Sequence, residues 1–215
     1  MHIDAETHLA AVCPAFATLI ARIGPRMDKA SDNRSPYARL VRAIAHQQLH
    51  GRAAETIFGR FVALFPGHDF PPPALILARP EADLRACGFS FSKIAAIRDI
   101  ALKAELGVVP TQAEIGQIDD ATLIERLVSI RGVGRWTVEM LLIDLGRPDV
   151  LPVDDFGVRE GYRLLHRLEA QPKPRALAEL GLPWAPYRST AAWYLWRASD
   201  EGKKIRPAAA PPNAA

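Results

Sequence analysis

The chain has 215 residues, which is enough for one large domain or two small lobes with a proper hydrophobic core. Lys and Arg number 27 against 24 Asp and Glu, and this net charge of +3 is too small to establish a nucleic-acid partner by itself. Two cysteines, Cys13 and Cys87, exclude a disulfide framework and a four-cysteine zinc or iron–sulfur site, so we expect both to be small core residues.

Apolar residues recur at helical spacing along nearly the whole chain. Ser35 and Pro36 have the residue types of a helix cap and a first turn, Gly51 interrupts a long helical stretch, and Ser92 is a second candidate cap. The predicted helices cover about 8–23, 36–50, 52–65, 74–78, 80–87, 92–105, 119–129, 136–145, 155–170 and 187–199.

Strand-type alternation and fixed-period repeats are absent, so the pattern predicts an all-α fold. We expect a compact core over residues 1–202 and a disordered tail over 203–215, which is rich in Ala and Pro. The chain begins without the basic and apolar regions of an export signal, and it has no apolar run of about 18 residues. We therefore expect an intracellular, cytoplasmic protein without a membrane partner, associated with the nucleoid if its source is bacterial.

The most informative segment runs from Leu127 to Leu142 and contains Ile130, Gly132, Gly134 and Thr137. It predicts a helix, a glycine turn and a second helix. Glycines let a backbone come close to another chain, and the first turn of a helix offers main-chain N–H groups, so this turn can bind a phosphate without reading a base. An ordinary interhelical turn that binds nothing is the alternative.

The pattern Ile-x-Gly-Val-Gly-x-x-Thr resembles the hairpin of the helix-hairpin-helix DNA glycosylase superfamily. The segment 150–156, Val-Leu-Pro-Val-Asp-Asp-Phe, follows it where that superfamily has an invariant aspartate, and segments 42–54 and 184–196 resemble the DNA-3-methyladenine glycosylase II branch. The resemblance covers about residues 37–199. It implies a two-lobed helical fold with a central lobe over about 37–140, N-terminal helices that pack with the C-terminal helices, and an active site in the cleft between the lobes. The chain matches a compact form without an N-terminal α+β domain.

The same resemblance implies that Asp155 is the catalytic carboxylate and that Asp154 is its neighbour, a candidate cap of the following helix. Alignment by distance to endonuclease III-like relatives would select Asp154 instead. A further alternative is that both residues are only helix caps, the commonest role of Asp before a helix.

Lyase-type members of the superfamily carry a lysine where this chain has Trp136, so the resemblance implies a monofunctional enzyme that releases a base and leaves an intact abasic site. Trp136, Met140 and Trp196 are the candidates for the base pocket. An aromatic wall attracts the cationic ring of an alkylated purine. A plain core role is the alternative for the tryptophans.

The resemblance also implies how DNA is held. Gln47, Gln48 and Leu49, which we call the wedge segment, match the residues that fill the space left by a flipped base. The hairpin contributes Gly132, Gly134, Arg135 and Thr137. Main-chain carbonyls of Val128, Ile130 and Val133 match a structural monovalent-cation site. We expect catalysis to require no cofactor and no iron–sulfur cluster.

The function implied is a base-excision repair glycosylase that acts as a monomer on double-stranded DNA containing alkylated purines. Two alternatives stay open at this point. One is a non-catalytic helix-hairpin-helix protein that binds DNA or senses damage. The other is a bifunctional lyase for oxidised bases, which would need a nucleophilic amine near the aspartate.

Overall fold

The computed structural model describes residues 4–27, 34–49 and 51–205, and these residues form helices and connecting turns without a strand. The all-α prediction is confirmed. The α-helices are α1 (Ala5–Val12), α2 (Pro14–Ile23), α3 (Pro36–His46), α4 (Gly51–Ala63), α5 (Pro73–Ala78), α6 (Glu81–Ala86), α7 (Phe91–Glu105), α8 (Gln112–Ile115), α9 (Asp120–Val128), α10 (Arg135–Asp144), α11 (Phe156–Leu165), α12 (Pro174–Leu180) and α13 (Arg188–Ile205).

The described residues within 1–29 and 143–215 form one compact unit, which we call the terminal unit. Helix α11 packs along α13, and α2 contacts both of them. The apolar residues between these helices are buried, and they include Phe16, Leu19, Val158, Tyr194 and Leu195. Burial of this apolar area is the main stabilising contribution to the unit.

The described residues within 30–142 form the second compact unit, which we call the central unit. Helix α7 is at its centre and packs against α3, α5 and α6, while α4 packs against α3. The apolar faces of α3 and α7 are buried, including Leu40, Val41, Ile44, Ile94 and Ile97. Phenylalanines 58, 61, 65, 70 and 89 form a cluster of aromatic contacts in the same unit.

Two local predictions were wrong. The helix predicted over 8–23 is two helices, because Pro14 lacks an N–H and drives the preceding Cys13 to an extended conformation with φ −149°. The cap of α7 is Ser90 instead of Ser92, since the Ser90 hydroxyl accepts the N–H of Lys93 at 3.3 Å.

Helix α11 ends at Leu165, earlier than the predicted end near residue 170, and helix α8 was not predicted. Helix α12 and a 3₁₀ turn at Leu182–Trp184 were missed. Helix α13 continues to Ile205, so residues 203–205, expected to begin the tail, are helical, whereas residues 206–215 lie outside the described residues. None of the helices among the described residues has the length and apolar character needed to cross a bilayer.

Candidate active site

Asp155 immediately precedes α11 and is its N-cap. Its Oδ1 accepts a hydrogen bond from the main-chain N–H of Val158 at 2.8 Å and another from the indole Nε1 of Trp196 at 2.8 Å. The residue is half-buried. Hydrogen bonds to an ionised acceptor are strong and directional, so the two donors fix the orientation of the carboxylate. Asp155 therefore does cap α11. The capping hydrogen bond holds the carboxylate in place and is compatible with a chemical role.

Asp154 differs from its neighbour because it is exposed. The suggestion that Asp154 caps the helix was wrong, since the capping hydrogen bond to Val158 comes from Asp155. Of the two carboxylates, the one that receives the Trp196 indole N–H is Asp155. The geometry of the terminal unit thus favours Asp155 as the residue positioned for chemistry.

Two glycines on α11 let α13 approach closely enough for this hydrogen bond. A Cβ built on Gly161 would lie 1.9 Å from the carbonyl oxygen of Leu195. A Cβ on Gly157 would lie 2.8 Å from Cδ1 of Trp196 and 3.1 Å from Oδ1 of Asp155. Any larger residue at these positions would push the two helices or the indole aside. The bare backbone of α11 therefore sets the distance between Asp155 and Trp196.

The loop that leads to Asp155 is held by the start of α13. The hydroxyl of Ser189 donates to the Arg147 carbonyl at 2.6 Å and accepts the N–H of Val150 at 3.0 Å. Arg188 forms a bidentate ion pair with Asp149, at 2.7 and 2.8 Å, and this guanidinium holds the pKa of Asp149 below its usual value. These contacts fix the backbone before the catalytic candidate.

The predicted hairpin between α9 and α10 is present in the central unit. Ile130 and Val133 are buried and anchor the turn, and the N–H of Val133 donates to the Ile130 carbonyl at 3.1 Å. Gly132 has φ +77°, and a Cβ on it would lie 3.0 Å from Cβ of Ala96. Gly132 is therefore required by the fold.

Gly134 has a different environment, because a Cβ on it would meet no described atom within 4 Å and its φ is not positive. Gly134, Arg135 and Trp136 form an exposed stretch at the start of α10. The guanidinium of Arg135 pairs with Glu139 at 2.9 Å and stays largely exposed. Thr137 is only 5% exposed, unlike the three residues before it, so little of its side chain is available at the surface.

The proposed cation site remains a prediction. The Ile130 carbonyl already accepts the Val133 N–H, but a carbonyl oxygen has a second lone pair for a ligand. Among the described residues no group of three or more His, Cys, Asp or Glu side chains could hold a metal ion. A site at Val128, Ile130 and Val133 would therefore consist of main-chain oxygens alone.

The wedge segment follows α3 in the central unit. Gln47 is the C-cap of α3, and its side-chain Nε2 donates to the Gly132 carbonyl at 3.4 Å. Gln48 is exposed and has a left-handed backbone with φ +57°. Leu49 is 39% exposed, which is high for a leucine in a turn between two helices. Gln47 is thus bound to the hairpin, while Gln48 and Leu49 are left at the surface.

The aromatic candidates lie in both units. Trp136 is 43% exposed on α10, and Met140 is half-buried one turn further along the same helix. Trp196 is half-buried on α13 beside Asp155. The structure therefore brings Asp155 and Trp196 together, and it brings Gln47 and Gly132 together. The assembly of Trp136 and Met140 with Asp155 in one cleft remains a prediction.

The sequence profile of the HhH-GPD superfamily of base excision DNA repair proteins matches residues 41–186. This range includes the wedge segment, the hairpin and Asp155. The chain belongs to this superfamily.

Individual members of the HhH-GPD superfamily are similar over nearly the full chain. DNA-3-methyladenine glycosylase 1 of Schizosaccharomyces pombe is 42% identical, across 94% of this chain and 91% of the relative. The solved structure of the 3-methyladenine DNA glycosylase Mag1 from that organism, in complex with abasic DNA, matches with a TM-score of 0.83 at 42% identity over 91% of this chain and 96% of that one. The crystal structure of a DNA-3-methyladenine glycosidase from Bacillus halodurans matches with a TM-score of 0.84 at 31% identity, over 94% and 92%. The resemblance to the DNA-3-methyladenine branch is confirmed.

The sequence of this HhH-GPD protein did not identify the residues that position Asp155 and Trp196. Ser189, Arg188 and Gly157 act through contacts that depend on how α11 and α13 pack. Ser189 lies 39 residues from the Val150 N–H that it accepts. Arg188 and Ser189 lie inside the matching segment 184–196, but no spacing in the sequence shows which distant residues they contact.

Proposed function

We propose that the protein is a monofunctional DNA glycosylase that removes alkylated purines from double-stranded DNA during base excision repair, with Asp155 as its catalytic carboxylate. The observation that carries this proposal is the Asp155 carboxylate, held by the Val158 N–H and the Trp196 indole N–H at the start of α11. An anion oriented by fixed donors is suited to stabilise a charge that develops next to it.

The reaction breaks the bond between C1′ of the deoxyribose and a ring nitrogen of the base. The bonding electron pair leaves with the base, so an alkylated purine that enters as a cation departs as a neutral molecule. The sugar becomes an oxocarbenium-like cation, which the Asp155 carboxylate stabilises. Water then bonds to C1′, and its proton passes to the carboxylate or to solvent. The products are a free base and an abasic site.

Water is the proposed nucleophile because this part of the chain offers no amine. The position that holds lysine in lyase-type relatives is Trp136, and residues 104–172, which include the hairpin, α10 and α11, contain no lysine. A Schiff base with the sugar needs a primary amine at C1′. The proposed enzyme therefore leaves the DNA strand uncut.

Alkylated purines are the proposed substrates for two reasons. Relatives at 42% and 31% identity bear the names of 3-methyladenine glycosylases. Purines alkylated at a ring nitrogen are cationic, and the indole of an exposed Trp136 would attract such a ring by roughly 0.5–2 kcal/mol. The exposed main chain at Gly134, where packing does not require a glycine, is the proposed contact for a DNA phosphate.

Replacement of Asp155 by asparagine tests the proposal directly. Asparagine is an equally good helix cap and can still accept both hydrogen bonds, so the change removes the charge and little else. We expect Asp155→Asn to lower single-turnover release of 7-methylguanine from an oligonucleotide duplex on the order of 10²-fold or more. Binding to a duplex with an uncleavable abasic-site analogue should stay within about threefold of wild type, because phosphate contacts supply most of the affinity.

Asp154→Asn is the matched control, and it should retain base release. If Asp154→Asn loses activity and Asp155→Asn keeps it, the assignment of the carboxylates is reversed. If wild-type protein binds methylated DNA but releases no base, the protein is a DNA-binding member of the superfamily and the enzymatic proposal is wrong. A covalent adduct trapped by borohydride would instead identify a lyase.

A further inference from the structure

The C-terminus of α3 is closed by a side chain from another helix. The Nζ of Lys93, on the first turn of α7, donates to the carbonyl oxygens of Ala45 and Gln47, both at 2.7 Å. Carbonyl groups at a helix C-terminus lack partners within the helix and form the negative end of its dipole. The ammonium group therefore satisfies two acceptors and neutralises the charge at the point where α3 gives way to the wedge segment.

Lys93 is itself held in place. Its main-chain N–H donates to the Ser90 hydroxyl that caps α7, and the adjacent Ile94 is fully buried. The side chain is half-buried, and removal from water lowers the pKa of the ammonium group. The ammonium group exchanges hydrogen bonds to water for hydrogen bonds to two carbonyl oxygens. Lys93 therefore has a fixed position, unlike a mobile lysine at the surface.

The wedge segment has a second tie to the same unit. The side-chain amide of Gln47 donates to the carbonyl oxygen of Gly132 in the hairpin. Gln47 is thus held at its main-chain carbonyl by Lys93 and at its side chain by the hairpin. The next two residues, the left-handed Gln48 and the exposed Leu49, project beyond this anchored residue.

We propose that Lys93 is a positioning residue that holds the wedge segment ready for insertion into DNA, so that Gln48 and Leu49 can fill the space vacated by a flipped base. This inference rests on the proposed glycosylase function. A left-handed glutamine and an exposed leucine in an unanchored turn would sample many conformations. If these residues became ordered only on binding DNA, the loss of conformational entropy would make base flipping less favourable. A segment that is already ordered avoids this loss of entropy.

Lys93→Met is the principal test, because methionine keeps the apolar stem and removes the donors. Two duplexes are compared by single-turnover release of 7-methylguanine, one with the lesion paired to cytosine and one with the lesion opposite an abasic-site analogue. We expect Lys93→Met to slow release from the paired duplex about tenfold or more, since small errors of position can cost up to about 10²-fold. The unpaired lesion flips easily, so its release should change less than about threefold.

Lys93→Arg keeps a charged donor and should recover at least part of the activity on the paired duplex. Leu49→Ala provides the second control: if Lys93 acts through the wedge segment, adding Lys93→Met to Leu49→Ala should cause little further loss. Equal losses on the two duplexes, or fully additive effects in the double variant, would overturn the proposal.

A fluorescence measurement separates this proposal from the enzymatic one. A 2-aminopurine next to an abasic-site analogue brightens when an inserted side chain unstacks it, and this readout needs no base release. We expect wild type to brighten the probe and Lys93→Met to lose most of that signal at saturating protein. Unchanged brightening with Lys93→Met would refute the positioning role, whether or not wild-type protein excises bases.

Discussion

Gly157 lacks a side chain at a place in the terminal unit where a methyl group would meet both Trp196 and Asp155. We expect Gly157→Ala to displace the indole and break the hydrogen bond from its Nε1 to the carboxylate. Misplaced catalytic groups commonly cost up to about 10²-fold, so base release should fall by about 10-fold or more. Overpacking should also lower the free energy of unfolding by about 1–3 kcal/mol. Single-turnover excision and urea unfolding measure the two effects.

Gly59→Ala is the matched control because Gly59 lies inside α4, where an added Cβ meets nothing within 4 Å. The same chemical change should there raise the free energy of unfolding by roughly 0.5–1 kcal/mol and leave excision unchanged. If Gly157→Ala behaves like Gly59→Ala in both measurements, the contact between Trp196 and Asp155 does not control activity.

At the level of the helix, α13 contains two fully buried serines with different surroundings. The Ser189 hydroxyl bonds to Arg147 and Val150 in the loop before Asp155, whereas the Ser199 hydroxyl has no hydrogen-bond partner among the described residues. We expect Ser189→Ala to lower the free energy of unfolding by about 1–3 kcal/mol, because it leaves the Val150 N–H buried without an acceptor. Base release should fall as well, since the loop positions the carboxylate.

Ser199→Ala is the matched control, because it removes a buried hydroxyl that has no hydrogen-bond partner among the described residues. Its free energy of unfolding should stay within about 0.5 kcal/mol of wild type or rise slightly, because an unpaired buried hydroxyl is itself costly. Chemical denaturation of the two variants measures the difference. Equal destabilisation by both substitutions would mean that burial, and not the hydrogen bonds of Ser189, determines its contribution.

Helix positions could be predicted where the determinant is local. Ser35 and Pro36 start α3 as their residue types indicate, because a cap and a first-turn proline act within four residues. Pro14 is an equally local signal for the break between α1 and α2. Its effect on the backbone outweighs the apolar periodicity that continues across residues 8–23. Helix α12 also begins with a first-turn proline, Pro174, and it was missed although the shorter helices α5 and α6 were predicted.

Across the whole molecule, the sequence identifies candidate residues but not the contacts between residues that lie far apart along the chain. Asp155, Trp196 and the hairpin lie in short segments that resemble the superfamily, and the sequence named them as candidates on that basis. Trp196 meets Asp155 from 41 residues away, and Lys93 meets Gln47 from 46 residues away. Such pairs depend on which helices pack together, and that information is distributed over the entire apolar pattern.

The stability of the whole protein should depend on pH through two histidines. His166 stacks on Tyr162 with ring centroids 4.2 Å apart, and burial lowers its pKa below the ordinary 6.5. Burial, followed by the nearby Arg42, lowers the pKa of His46 in the same direction. In both cases the unfolded chain binds a proton more readily than the folded chain. The stabilising contribution of the neutral rings is thus complete above pH 6.5 and is lost as the pH falls towards the folded pKa values.

Replacing His166 with glutamine removes one of these titrations. Between pH 7.5 and about 5, the free energy of unfolding of wild type should decline more steeply than that of His166→Gln, and His46→Gln/His166→Gln should give the flattest profile of the three. Urea unfolding at a series of pH values, at constant ionic strength, measures the slopes. A variant that is less stable at pH 7.5 but has the wild-type slope would show that the His166 ring contributes packing alone. A decline that is shallower in wild type than in the double variant would show that the fold favours the protonated rings.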